Sequence, residues 1–269
     1  MINVIIPAYN CTKTLSKTLA SLVAQTDSNF EVIVVDDCST EDIKSIVDDY
    51  ANKLSIIYIR NAKNMGCGMS RQVGLDNATQ KFVTFLDSDD MFMPYTVETF
   101  NAIIEANPNI EYLHSYFYEQ EELDGAPILI VKEDGFTWCH GKLYNTDCLK
   151  KYGIRWIPDV SYWGDDSYFN SICSELLQMC LIPVPTVLWV NNKDSVTRRY
   201  DPERDAEKAS KFLDSILLST EFVLQYKESI THLSKTVAYI VDTCPVINDE
   251  DKNKLQKLFN YIKGSRNGL

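Results

Sequence analysis

Along the first third of the chain, short apolar runs alternate with stretches whose apolar residues recur every third or fourth position. Val4-Ile5-Ile6 is such a run, and the spacing of Leu15, Leu19, Leu22 and Val23 after it predicts a helix. Glu31 to Val35 and Ser55 to Ile59 read as further strands, with helices expected over Ile43 to Tyr50 and about Gly68 to Ala78. Ser39, three residues ahead of Asp42, suggests a capping box that opens the first of these helices. Phe82-Val83-Thr84-Phe85-Leu86 is largely apolar in both alternating sets of positions, which marks a strand buried on both faces.

Strands separated by amphipathic helices imply right-handed crossovers, hence a parallel sheet whose carboxyl-end loops all open on one edge. That edge should carry Pro7 to Asn10, Asp36-Asp37, Asn64 to Gly68 and Asp87 to Asp90. After a helix expected from Tyr95 to Ala106, Ile110 to Tyr118 and Ile128 to Val131 look like strands joined through Asp124-Gly125, so the sheet should become mixed. A short helix through Leu149, a loop from Trp156 to Gly164, and a helix opened by Asp165-Asp166 and running through Leu177 come next. From Pro202 onward the pattern is helical, over Ala206 to Tyr226, Thr231 to Val241 and Asp249 to Ile262. No linker, repeat or low-complexity segment interrupts it, so the expected organisation is one α/β body over residues 1–200 with a helical extension, 201–269, packed on it.

The candidate chemistry lies where the strands end. Phe82 to Leu86 runs straight into Asp87-Ser88-Asp89-Asp90, and carboxylates crowded this closely repel one another unless a cation or a set of donors neutralises them. Asp-x-Asp supplies hard oxygen ligands suited to Mg²⁺ or Mn²⁺ carrying substrate phosphates. The same residues also suit an acidic turn capping the helix begun at Pro94, and this stretch alone leaves both readings open. In open α/β sheets ligands gather outside the carboxyl ends of the strands, which favours the first. Asp165-Asp166 repeats the ambiguity, since acidic residues at a helix start are favoured by its dipole.

Composition narrows the field. A formal charge of −12 disfavours a general affinity for nucleic acid or anionic membrane. With no charged leader and no apolar run as long as a membrane span, a soluble cytoplasmic chain is expected. Eight cysteines without CxxC spacing read as reduced packing thiols rather than a zinc site or a disulfide framework. His140, with no second ligand at metal-binding spacing, reads as structural.

Several short motifs fall in the order of one family. They are Pro7-Ala8-Tyr9-Asn10, Val34-Val35-Asp36-Asp37-Cys38-Ser39-Thr40, Asn64-Met65-Gly66 with Arg71 and Gly74-Leu75, and Phe85-Leu86-Asp87-Ser88-Asp89-Asp90. Gly141-Lys142-Leu143-Tyr144, Gly164-Asp165-Asp166 and Ser195-Val196-Thr197-Arg198 continue the series. Over roughly its first 200 residues the chain thus resembles the family 2 glycosyltransferases, inverting enzymes that use nucleotide-sugars. The resemblance implies a GT-A, Rossmann-like fold: a mixed, mainly parallel sheet flanked by helices. It implies that Pro7, Ala8, Tyr9 and Asp37 hold the nucleobase and ribose of a donor, most often a UDP-sugar, with Gly66, Arg71, Asp87, Ser88 and Arg198 completing the donor side. Asp89 and Asp87 would hold Mn²⁺ or Mg²⁺, Lys142, Trp163 and Asp165 would face the acceptor, and Asp166 would be the general base.

Two departures from the family pattern stand out. Asp165 takes the place of a more usual Glu, and Asn192 stands near the place of a usual His. Trp138, Tyr144, Trp156, Tyr162 and Trp163 gather in sequence around the expected acceptor side; packing accounts for most of them, with Trp163 the exception. A saccharide or glycoconjugate acceptor is the leading expectation. A modified nucleic-acid base remains an alternative, through a local groove around Arg198, Arg199, Arg204 or the C-terminal lysines. A catalytically inactive nucleotide-sugar-binding module is a third reading, against which the retention of both Asp-x-Asp and Asp166 argues.

Overall fold

The structure, a computed structural model, describes residues 1–123, 126–132, 138–156, 165–190, 250 and 253. The expected extension over 201–269, and with it the three C-terminal helices, lies almost wholly outside the described residues.

The chain opens as four strand units: β1 (Ile2–Ala8), α1 (Leu15–Val23), β2 (Phe30–Asp36), α2 (Ile43–Asp48), β3 (Ile56–Arg60), α3 (Cys67–Asp76) and β4 (Phe82–Phe85). These strands lie in the order β3-β2-β1-β4 and every pair is parallel, with Val4 opposite Val32 on one side and Thr84 on the other. Each residue of β1 is buried, as a strand central to a covered sheet requires. Alternate side chains feed two cores. Ile5, Ile33, Val83 and Phe85 pack with Tyr112, Tyr144, Trp156 and Phe169 on one face. Val4, Ile6, Val32 and Val34 pack with Leu15, Leu19 and Phe100 on the other.

The second half is antiparallel in part. It contains β5 (Met91–Phe92), α4 (Thr96–Ala106), β6 (Tyr112–Leu123), β7 (Ala126–Lys132), β8 (Lys142–Asn145), α5 (Thr146–Lys151), α6 (Asp165–Leu176) and β9 (Met179–Trp189). The sheet continues β4-β8-β6-β9-β5, and β7 pairs with the outer half of β6. The switch falls at β4, which has parallel β1 on one side and antiparallel β8 on the other. β6 and β9 run parallel but slip in register between Ser115 and Phe117, opposite the stretch of β9 that holds Pro183 and Pro185.

Three sequence expectations change. The N-cap of α2 is Asp42, whose side chain accepts from Ser45 N, whereas the Ser39 hydroxyl oxygen accepts from Asn10 N. The capping-box expectation is therefore corrected by a residue that reaches the amide three positions on. β5, β8 and β9 are strands that periodicity did not reveal: the first two are short, and prolines and bulges interrupt the third. The Phe82 strand ends at Phe85, one residue early.

Gly141, just before β8, has φ of +63°, and a Cβ there would come within 2.4 Å of Ser115 Oγ and 3.0 Å of Ser115 O. Gly141→Ala combines a left-handed backbone with overpacking and should cost about 2 kcal/mol or more. The expected readout is a thermal midpoint lowered by roughly 4–8 °C. An unchanged midpoint would contradict this close approach of β8 to β6.

Candidate active site

Four loops meet at the carboxyl edge of the parallel strands. The end of β2 divides its two carboxylates between opposite directions, as successive residues of an extended chain must. Asp36 turns back into the protein and accepts from Ser39 N at 2.8 Å, Tyr58 Oη at 2.6 Å and Arg60 Nη1. Burial works against ionisation there, but the bonds from Ser39 and Tyr58 and the Arg60 charge outweigh it, leaving the Asp36 carboxyl below its usual range. Burial and the bond to Asp36 push the Tyr58 phenol up to about 12.

Asp37 turns toward the loop before α3. Its Oδ1 accepts from Met65 N at 2.8 Å and Asn61 Nδ2 at 2.9 Å, and its Oδ2 from Gly66 N at 2.8 Å. Gly66, the N-cap of α3, has φ of +85°, so a glycine suits the position and Asp37 supplies the negative charge that a helix N-terminus favours. Beside it, Asn10 and Cys38 both have positive φ. They interlock: Asn10 N donates to Ser39 Oγ, and Asn10 Oδ1 accepts from Thr40 N. Tyr9 stands out from this platform at 45% exposure, whereas Pro7 and Ala8 are buried in β1.

Across the edge, Arg71 of α3 joins two distant carboxylates. Its Nη2 donates to Asp87 Oδ1 at 2.6 Å and its Nη1 to Asp166 Oδ1 at 2.5 Å, and the Cys139 amide lies 3.4 Å from Asp166 Oδ2. Burial alone would weaken the Arg71 charge; Asp166, the Cys67 thiol and Asp87 together outweigh it and raise the guanidinium pKa above its ordinary value. Asp87 is correspondingly lowered: burial opposes its ionisation, and Arg71 and His140 favour it. Ser88 and Asp89 lie half-buried at the tip of the same loop.

Beneath that tip, Asp90 is buried, with Oδ1 accepting from Val190 N and Oδ2 lying 2.9 Å from His140 Nε2. Burial would lower the His140 pKa, but Asp90, by hydrogen bond and charge, and the charges of Asp87 and Asp166 raise it. The imidazole stacks on Phe117 with centroids 5.5 Å apart and touches the rings of Trp138 and Trp189. Asp87, Asp90 and His140 each bring one ligand atom within 4.8 Å of the others, a spacing that a metal ion can bridge. Both oxygens of Asp90 already hold a partner, and Asp87 and Asp89 lie half-buried on the same loop.

Asp37, Gly66, Arg71, Asp87, Ser88, Asp89 and Asp166 are therefore brought to one edge. Lys142, expected to face an acceptor, is instead wholly buried in β8, its Nζ donating to the Trp138 carbonyl. Tyr144 and Trp156 are core residues, as packing suggested, while Trp138 is 40% exposed. Trp163, Asn192 and Arg198 lie outside the described residues, and of Asp165 the structure gives only its place at the start of α6. Sequence reasoning missed His140 as a member of the site, because its partner Asp90 lies 50 residues away and only the antiparallel return of β8 beside β4 joins them.

Residues 3–157, more than half of the chain, match the model of glycosyl transferase family 2. The chain belongs to that family. The poly(ribitol-phosphate) β-N-acetylglucosaminyltransferase TarS of Staphylococcus aureus is 41% identical over 182 residues, covering 62% of this chain and 31% of the relative. An uncharacterized glycosyltransferase of Haemophilus influenzae is 41% identical over 114 residues, 42% of this chain and 38% of the relative. The chain spans only about 20–41% of the length of the curated relatives it matches. Among solved structures, residues 1–349 of S. aureus TarS in complex with UDP-GlcNAc superimpose with a TM-score of 0.72 at 21% identity, over 98% of this chain and 81% of that one. A mannosyltransferase of Pyrobaculum calidifontis in complex with GDP-Man and Mn²⁺ gives 0.58 at 14% identity, over 98% and 85%. These likenesses establish the GT-A fold. Among the described residues no helix is long and apolar enough to cross a membrane.

Two outcomes follow from the β2 carboxylates. Because the folded pKa of Asp36 lies below its ordinary value of about 3.9, the stability it contributes is fully present above that pH and is lost as pH falls through the folded value. The stability gap between the native chain and Asp36→Asn, read by urea unfolding, should therefore be constant near neutrality and close below about pH 4. Asp37→Asn keeps one acceptor oxygen where two hold Met65 and Gly66, so those two amides should exchange faster, with a loss of about 1–3 kcal/mol. Unchanged exchange would contradict Asp37 as the clasp of this turn.

Proposed function

We propose that the chain transfers a sugar from a nucleotide-diphosphate donor, UDP-linked, to an acceptor hydroxyl on a saccharide or glycoconjugate, with inversion and with the help of Mn²⁺ or Mg²⁺. The observation that carries this reading is the single guanidinium of Arg71 spanning Asp87, at the Asp-x-Asp strand end, and Asp166, at the start of α6. It brings the Asp-x-Asp strand end and the carboxylate of α6 onto one cation at the sheet edge, which supports a metal-holding and a proton-accepting carboxylate acting at a single site. UDP is favoured over other nucleotides because TarS, crystallised with UDP-GlcNAc, is 41% identical over 62% of this chain, whereas the GDP-Man enzyme is 14% identical.

On this reading Tyr9 and the interlocked Asn10 and Cys38 loops form a rigid platform for the nucleobase. Asp37 already accepts from three donors, and a carboxylate offers about four acceptor sites, so it can take a ring N–H without reorganising the turn. A hard cation suits Asp87 and Asp89, and it supplies Lewis-acid stabilisation of the leaving diphosphate when bound. Asp166, on the acceptor side, takes the hydroxyl proton as attack proceeds, for a sugar hydroxyl is a poor nucleophile until deprotonated. Attack opposite the diphosphate inverts the anomeric centre without a covalent enzyme intermediate.

The test is thermal stabilisation by a panel of nucleotide-sugars with Mn²⁺ or with chelator, followed by slow donor hydrolysis. One UDP-sugar should stabilise by about 2.7 kcal/mol at a hundredfold excess over its Kd, an effect weakened by chelator, Asp89→Ala and Asp37→Ala. Asp166→Asn should retain the stabilisation and lose hydrolysis by roughly a hundredfold or more. No response to any nucleotide would overturn the reading.

A further inference from the structure

Arg71 is poorly placed to be a simple clamp on a ligand arriving from water. Its side chain is 3% exposed, one nitrogen holds Asp166 and another holds Asp87, and its guanidinium lies 5.0 Å over the ring of Trp156. Trp156 is itself fixed: fully buried, parallel to Phe169 of α6 at 4.4 Å, and tied through its amide to Gln72 Oε1, next to Arg71 on α3. The planar fork is thus held by packing as well as by charge, and it ties together two carboxylates contributed by residues 79 positions apart.

We propose that Arg71 is a positioning residue that couples the two sides of the site, so that engagement of Asp87 by donor changes how Asp166 is held. The inference rests on the reading of Asp87 as donor-facing and Asp166 as base. A buried cation shared by two anions supports this physically: whatever neutralises part of the charge on Asp87 alters the balance at the guanidinium, which also holds Asp166 in the first turn of α6. A lysine in its place offers a point charge that cannot hold both carboxylates in the same fixed geometry.

The experiment uses UDP-GlcNAc and Mn²⁺ as probes. With Arg71→Lys, the KM for donor hydrolysis should stay within about threefold while kcat falls at least about tenfold, and Arg71→Lys/Asp166→Asn should be no slower than Asp166→Asn alone. A raised KM with unchanged kcat, or losses that multiply in the double variant, would make Arg71 a donor ligand only and overturn the inference. In the native chain, saturation with UDP and Mn²⁺ should slow amide exchange in the first turn of α6, and Arg71→Lys should lose that response while still binding UDP. No slowing at saturation in the native chain overturns the coupling even if Arg71→Lys does not fold. A native chain that binds no nucleotide instead removes the proposed function, and the inference with it.

Discussion

A parallel sheet delivers the ends of its strands to one edge, and in this chain those ends carry carboxylates that must be neutralised where water is scarce. Arg71 is the buried answer on the β4 side, and Tyr58, Arg60 and the amides of Ser39, Met65 and Gly66 are the answer on the β2 side. Without such partners the acidic edge would be unstable: removing one member of a buried charged group costs on the order of 3–5 kcal/mol. The same arrangement that makes the edge tolerable makes it rigid. Asp37 is held by the turn that opens α3 and Asp87 by Arg71 within α3, a helix whose Gly74 presses so closely on β1 that a Cβ would lie 2.3 Å from Ile5 Cγ2.

The sequence revealed what this edge is made of better than how it is closed. β1 to β4 were legible because a covered parallel strand must be apolar on both faces, and α1 after the first of them carries a clean apolar stripe. The acidic ends, the Gly66 turn and Asp166 followed from that order and from the family resemblance. β9 was not legible, since Pro183 and Pro185 and the register slips break the alternation that marks a strand. The bonds that settle local roles were hidden as well. Whether Ser39 or Asp42 caps α2, and whether Asp36 or Asp37 faces the loop, depends on side-chain direction rather than on residue type.

His140 and Lys142 make the same point in opposite senses. A histidine without a neighbouring ligand in sequence entered the site because β8 returns antiparallel beside β4, bringing it against Asp90 and within 4.8 Å of the ligand atom of Asp87. A lysine in a recognisable motif turned inward, where its Nζ donates to the Trp138 carbonyl and its side chain is wholly buried. Motif membership therefore identified the segment, while topology decided which of its residues face the reaction space.

The two sides of the site differ in how they are built. Everything on the β1 to β4 side comes from the first ninety residues, on strand ends and a helix locked to them, and the family match over residues 3–157 includes all of it. Asp166 lies beyond that match, on α6, and its geometry depends on Arg71 reaching across. Asp166 and the strand-end carboxylate Asp87 share one guanidinium, so an alteration around α6 that moves Asp166 also changes what Arg71 offers to Asp87. Any segment that brings a carboxylate to the place of Asp166 must meet a guanidinium that also holds Asp87 and lies over the Trp156 ring.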